Sequence, residues 1–182
     1  MLYYLFATLV FGLKDRYMST TRQLAPIMFT DMVGYTALMQ TDEELATKKR
    51  ERHKEVFEST IHKFNGRILQ YYGDGTLSIF NSAIVGVRCV IEIQKQLAEE
   101  PKVDLRIGMH TGDIALEEEG IYGDGVNVAS RIESLSVPGG VFISEKVWDD
   151  IKNQSGIEAR EIGCFDLKNV LQPVRVFAIS NW

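Results

Sequence analysis

The sequence predicts one α+β domain built on the order β-α-β-β-α-β. Three observations predict it. Short apolar, β-rich runs at Ile27–Phe29, Ile68–Tyr72 and Thr76–Phe80 alternate with stretches of helical spacing. The 182 residues suffice for one domain with a sizeable core. No repeat, low-complexity tract or linker divides them.

Ile27 to Phe29 reads as a short buried strand ending at Asp31. From Gly34 to about Phe64 the pattern is helical, and the charge-rich run Asp42 to Glu55 reads as its solvated face. Phe57, Ile61 and Phe64 mark the buried side, and Asn65-Gly66 stops the helix. Ile68–Tyr72 and Thr76–Phe80 form a hairpin through Gly73-Asp74-Gly75. Ser82 is placed to cap a second helix, whose Val87, Val90, Ile91 and Leu97 share one face; Pro101 ends it. Val103–Met109 is a strand, followed by His110-Thr111-Gly112 and a second strand near Ile114–Leu116. Gly123–Leu135 reads as a turn entering a helix, and Val141–Ser144 as a strand with a short helix from Glu145. The last strands fall near Ala159–Phe165 and Val174–Ile179. The opening order matches the ferredoxin-like split unit.

A net charge of −5 argues against non-specific nucleic-acid binding, which needs a basic footprint. Cys89 and Cys164 lack metal-ligand spacing and read as buried thiols of a reducing cytoplasm. Leu2 to Leu13 is apolar apart from Thr8, yet shorter than the ~20 residues a bilayer span needs. It lacks the basic start and cleavage site of a signal peptide. An interfacial anchor through residues 2–13, a helix packed on a partner, and a start-site artefact stay open. The last is favoured, because Met18 opens the polar segment Ser19 to Gln23. Residues 1–22 are therefore set apart from a domain over 23–180.

Two aspartates carry the chemical signal. Asp31 ends an apolar run beside the turn Met32-Val33-Gly34, and Asp74 sits between two glycines at a hairpin tip. A carboxylate beside free backbone amides can hold a hard cation against a phosphate chain. Two that converge can hold two metals for in-line displacement at phosphorus. An aspartate between glycines is also an ordinary turn residue. A third segment, Tyr122 to Arg131, tips the balance. Asn127 and Arg131 are four residues apart and share a helix face, joining an amide for a ribose with a guanidinium for a phosphorane. His53 and His62 read as surface residues and His110 as structural.

Together these segments resemble the class III nucleotide cyclases, the adenylate and guanylate cyclase catalytic domain. The resemblance rests on Phe29-Thr30-Asp31-Met32-Val33-Gly34-Tyr35-Thr36, Gly73-Asp74-Gly75, Gly108-Met109-His110-Thr111-Gly112-Asp113, Gly123 to Glu133, and Leu167-Lys168-Asn169-Val170. The implied fold is a ferredoxin-like βαββαβ core with extra C-terminal strands. The resemblance implies that Asp31 and Asp74 bind two Mg²⁺ or Mn²⁺ ions per site. It implies that the amides of Val33, Gly34, Tyr35 and Thr36, together with Lys168, hold the triphosphate. Asn127 would position the ribose and Arg131 would stabilise the transition state. It further implies a head-to-tail homodimer with shared active sites, making a 3′,5′-cyclic mononucleotide and pyrophosphate in the cytoplasm.

Two positions depart from the purine-reading pattern. Gln70 stands where such cyclases place a lysine, and Gly120 where they place an aspartate or threonine. A glutamine amide suits uracil's N3–H and O4, or cytosine's N3 and N4 amino group. Gly120 leaves a space that Tyr71, Tyr72 or Tyr122 is placed to fill. Loss of the purine pair resembles the pyrimidine cyclases of bacterial antiphage systems (the Pycsar group), which make cyclic UMP or CMP. An adenylate cyclase reading its base with other residues, such as a carboxylate among Glu117, Glu118 and Glu119, stays open. So does a catalytically silent dimerisation module. Asn169, where a glycine is usual, puts the shape of the phosphate loop in question.

Overall fold

The computed structural model describes residues 21–117 and 120–181. Residues 2–13 and Met18, which carry the anchor and start-site expectations, lie outside them.

The chain runs β1 (Thr21–Met32), α1 (Tyr35–Thr41), α2 (Glu43–Lys63), β2 (Arg67–Tyr72), β3 (Gly75–Ile79), α3 (Ala83–Leu97) and β4 (Leu105–Glu117). Then follow β5 (Gly120–Tyr122), α4 (Asp124–Leu135), β6 (Val141–Ser144), α5 (Glu145–Ile151), β7 (Ala159–Phe165) and β8 (Val174–Ile179). The sheet order is β2-β3-β1-β4-β6-β8-β7, with β5 on β4. Its β2-β3-β1-β4 portion is the expected βαββαβ core, and β6 to β8 extend it.

Apolar side chains alternate along β1. Met28 and Met32 join the main core with Phe57, Val90, Leu97 and Met109, under α2, α3 and α5. Ala25 and Ile27 face the other way, towards α4, with Leu77, Ile114 and Ala129. The period of two thus assigns Asp31 to the α4 side of the sheet, with Ile27 and Phe29.

Several expectations change. The single helix over Gly34 to Phe64 is two, because Asp42 breaks it and caps α2 by accepting from the Leu45 amide at 2.9 Å. Asn65 then ends α2 in the left-handed region at φ 53°. Ser82 precedes α3, but its hydroxyl makes no capping bond. The two strands expected over Val103 to Leu116 are one, β4, paired to β1 from Leu105 to Leu116. Gly112, between the two expected strands, pairs with Ala25 inside β4, and glycine is needed there because a Cβ would lie 2.7 Å from the Gly125 Cα of α4. β5 was not foreseen. The short strand expected at Ile27–Phe29 is the middle of a longer one, β1, which begins at Thr21.

Cys164 is exposed while Cys89 is buried, and both thiols are free. His53, expected on the surface, is buried at 3 % exposure against Phe57. Burial pushes its pKa down to about 4, so it sits neutral in the fold. His110 is structural as expected: its Nδ1 shares a 2.9 Å hydrogen bond with the Ser144 hydroxyl.

Candidate active site

Asp31 lies directly opposite Arg106 in the β1–β4 ladder, so both side chains leave the sheet on the same face. The Arg106 guanidinium hydrogen-bonds the Asp31 carboxylate. On its other side Arg106 Nε lies 3.1 Å from Oε1 of Glu133, which α4 lowers onto the sheet. This second contact is an ion pair with its N–H angled off the oxygen, so both atoms are buried without a hydrogen bond. Burial raises the Glu133 carboxyl above the usual range, against the pull of Arg106. The Asp31 hydrogen bond raises the Arg106 pKa further.

Asp74 reaches the same place from the β2–β3 turn. Two features clamp β3 onto β1: the Thr30 and Thr76 hydroxyls bond at 2.8 Å, and a Cβ on Gly75 would stand 2.4 Å from the Thr30 carbonyl oxygen. Glycine is required there by close approach. The Asp74 carboxyl is raised first by burial, and the Asp31 charge adds to the rise. The structure therefore brings Asp31 and Asp74 together and adds Arg106 and Glu133, which the sequence reading missed. Arg106 carries one weak signal, as the lone charge in Leu105-Arg106-Ile107-Gly108-Met109. Glu133 carries none, because an acidic residue on an amphipathic helix is commonplace.

Two mutually repelling carboxylates fit a hard divalent cation. Among the described residues no three His, Cys, Asp or Glu side chains gather as a metal cage. The donor set thus suits Mg²⁺ or Mn²⁺ completed by phosphate oxygens, the usual way a magnesium ion is bound beside a nucleotide.

Gly34, at φ 72°, turns the chain out of β1 into α1. The Val33 amide is already spent on the Asp104 carbonyl at 2.9 Å, so it is unavailable to a phosphate. The Tyr35 and Thr36 amides open α1, where a helix offers no internal acceptor.

Asn127 and Arg131 stand elsewhere. Asn127 opens on a cleft of about 350 Å³ with Asp124, Asn169, Leu171 and Gln172, beside the loop that carries Lys168. Asn169 takes the left-handed region at φ 64°, which asparagine tolerates, so the loop keeps the turn that glycine would make. Arg131 has a buried Nε without a partner. At about 100° per residue, Glu133 points about 200° round α4 from Arg131. One chain therefore holds Asp31 and Asp74 on one side of α4, and Asn127 with the Lys168 loop on another.

Gln70 lies on the edge strand β2 and accepts a 3.0 Å hydrogen bond at Oε1 from the Tyr72 hydroxyl. Tyr72 stacks on Phe29 at 5.4 Å. Gly120 opens β5 at φ 154°, and a Cβ there would lie 3.2 Å from the Tyr122 hydroxyl. Tyr122 is thus the tyrosine that fills this space. Tyr71 turns away and donates to Glu58 at 2.7 Å. Glu118 and Glu119 lie outside the described residues.

The Adenylate and Guanylate cyclase catalytic domain family matches residues 17–181. "Putative adenylate cyclase 3" of Rhizobium meliloti (strain 1021) is 38 % identical over 170 residues, covering 89 % of this chain and 29 % of that protein. The chain thus spans under a third of the length of this curated relative. The crystal structure of an adenylate/guanylate cyclase/hydrolase from Silicibacter pomeroyi superposes with a TM-score of 0.78 at 32 % identity, covering 87 % of this chain and 97 % of that one. The adenylyl cyclase CyaB from P. aeruginosa shares the fold, with a TM-score of 0.80 at 23 % identity over 91 % of this chain and 97 % of that one. The chain belongs to the adenylate and guanylate cyclase catalytic domain family.

Proposed function

We propose that the protein converts UTP or CTP into the 3′,5′-cyclic mononucleotide and pyrophosphate, at two sites shared between head-to-tail protomers. One observation carries the shared site: α4 keeps Asn127 and Arg131 of a chain away from that chain's own Asp31 and Asp74. A second protomer brings the two halves together.

In the reaction the substrate's 3′-oxygen bonds to the α-phosphorus, the bond from that phosphorus to the bridging oxygen of pyrophosphate breaks, and the 3′-hydroxyl proton leaves to solvent. Asp31 and Asp74 would hold two Mg²⁺ or Mn²⁺ ions, which would supply Lewis acidity to that hydroxyl and positive charge to the phosphate chain. The Gly34, Tyr35 and Thr36 amides and Lys168 hold the terminal phosphates. Asn127 orients the ribose, and Arg131, whose Nε lacks a partner, meets the charge that develops at the α-phosphorus.

Base choice rests on Gln70 and Gly120. The Tyr72 hydroxyl occupies Gln70 Oε1, which leaves the amide NH₂ to donate to an acceptor such as uracil O4 or cytosine N3. Tyr122 beside Gly120 narrows the space where a larger purine would extend. The product acts as an antiphage alarm in the cytoplasm, where nucleoside triphosphates are made. Among the described residues no helix is long and apolar enough to cross a membrane.

The test is a competition of equal ATP, GTP, CTP and UTP with Mn²⁺, products resolved by mass spectrometry. Cyclic UMP or CMP as the main product is expected, and a rise of that product on phage challenge supports the alarm role. Cyclic AMP would install the second reading, an adenylate cyclase, which the name of the Rhizobium meliloti relative favours. No cyclic product would leave a silent dimerisation module.

A further inference from the structure

Arg106 is shared between two carboxylates of different standing. Asp31 is about one-third exposed at the mouth of the site, whereas the Glu133 side chain is 8 % exposed beneath α4. The Asp31 contact is a hydrogen bond, and the Glu133 contact is an ion pair with both facing atoms unsatisfied. A buried pair left incomplete has a second arrangement within reach, since rotating the guanidinium towards Glu133 completes it.

We propose that Arg106 is a counter-charge lock on the metal site: it neutralises Asp31 in the ligand-free protein and withdraws towards Glu133 when a divalent cation binds. The inference rests on the reading of Asp31 and Asp74 as cation ligands. A guanidinium on Asp31 competes with the cation for the same oxygens and repels it. Glu133 provides the place to which the displaced charge moves without being stranded in a buried position. Any anionic ligand that draws Arg106 off Asp31 then tightens cation binding, and the cation tightens that ligand equally. Arg106 and Glu133 are therefore positioning residues for metal loading.

The test is Mn²⁺ binding to the purified full chain without nucleotide, followed by the loss of free Mn²⁺ signal in electron paramagnetic resonance. Arg106→Gln is expected to bind Mn²⁺ about tenfold tighter or more, a change that a merely structural arginine would not produce. Glu133→Gln is expected to bind several-fold weaker. The double variant is expected to bind like Arg106→Gln alone, because Glu133 acts through the arginine. Equal or weaker binding by a folded Arg106→Gln protein overturns the lock, as does a Glu133→Gln effect that persists in the double variant. Unchanged Mn²⁺ binding by Asp31→Asn with Asp74→Asn would sink the metal reading instead, which separates the two failures. Should Arg106→Gln not fold, ¹⁵N spectra of the parent decide. Rotation of the Arg106 terminal nitrogens is expected to change on Mg²⁺ addition, and an unchanged guanidinium signal at saturating Mg²⁺ overturns the proposal.

Discussion

Asp74 and Glu133 both hold their carboxyls above the ordinary range for the same first reason, burial, and both lie within the field of Arg106. Charge here is shared within a small group of side chains, of which only Glu133 is buried. Two histidines show the opposite burial effect. His53 and His110 are held at about 4, by burial in both and also by Lys146 beside His110. Their folded pKa values lie below the unfolded value of 6.5, so the unfolded chain takes up protons first as pH falls. Stability is unaffected above about pH 6.5, declines from there to pH 4, and changes no further from these groups below it. The loss approaches about 3 kcal/mol per histidine. Urea midpoints at pH 7 and pH 4.5 should show this fall, and His53→Phe, which keeps the contact with Phe57, should remove much of it. An unchanged fall in that variant would assign the acid sensitivity to other groups.

Helix α4 positions the site because β4 lets it come close. A Cβ on Gly108 would stand 2.1 Å from the Glu133 backbone nitrogen and 2.5 Å from the Ala129 carbonyl oxygen. Both obstacles are backbone, so no rotamer change relieves the clash and α4 must lift. Gly108→Ala is expected to cost about 3 kcal/mol or more and to part Glu133 from Arg106. Thermal melting measures the first effect and Mn²⁺ affinity the second. A variant with the parent's melting temperature would show that α4 is not held by this contact. The β1–β3 clamp at Gly75 works in the same way for Asp74, where close strand approach sets the distance between the carboxylates.

At the scale of the whole molecule, the proposed reading of a site split across α4 requires two chains. Neither Asp74→Ala nor Arg131→Ala alone should turn over more than about 1 % of the parent rate. Mixed, they should form heterodimers with one site intact and one doubly damaged, and recover up to roughly a quarter of parental activity, since half the dimers in an equal mixture are mixed. Activity against mixing ratio measures this directly. No recovery from chains that demonstrably exchange would exclude the shared site.

The sequence by itself determined the βαββαβ order of the core, because apolar periodicity is local: the hairpin, the last two strands and α4 stand where their spacing places them. It also marked Asp31, Asp74, Asn127 and Arg131, whose flanking glycines and helical spacing are short-range patterns. The tertiary structure alone decided which of them meet. Arg106 joins Asp31 through strand register between residues 75 apart in sequence, and Glu133 joins them only because Gly108, two residues from Arg106 on β4, lets a helix down. His53 looked solvated within a charged run and proved buried, since which side of α2 meets the core depends on α3 and the sheet. Tyr122 was chosen over Tyr71 to fill the space at Gly120 because strand pleat sends Tyr71 to the Glu58 side of the sheet. Local chemistry is written in neighbouring residues, whereas proximity across the fold is set by packing between segments that carry no mark of each other.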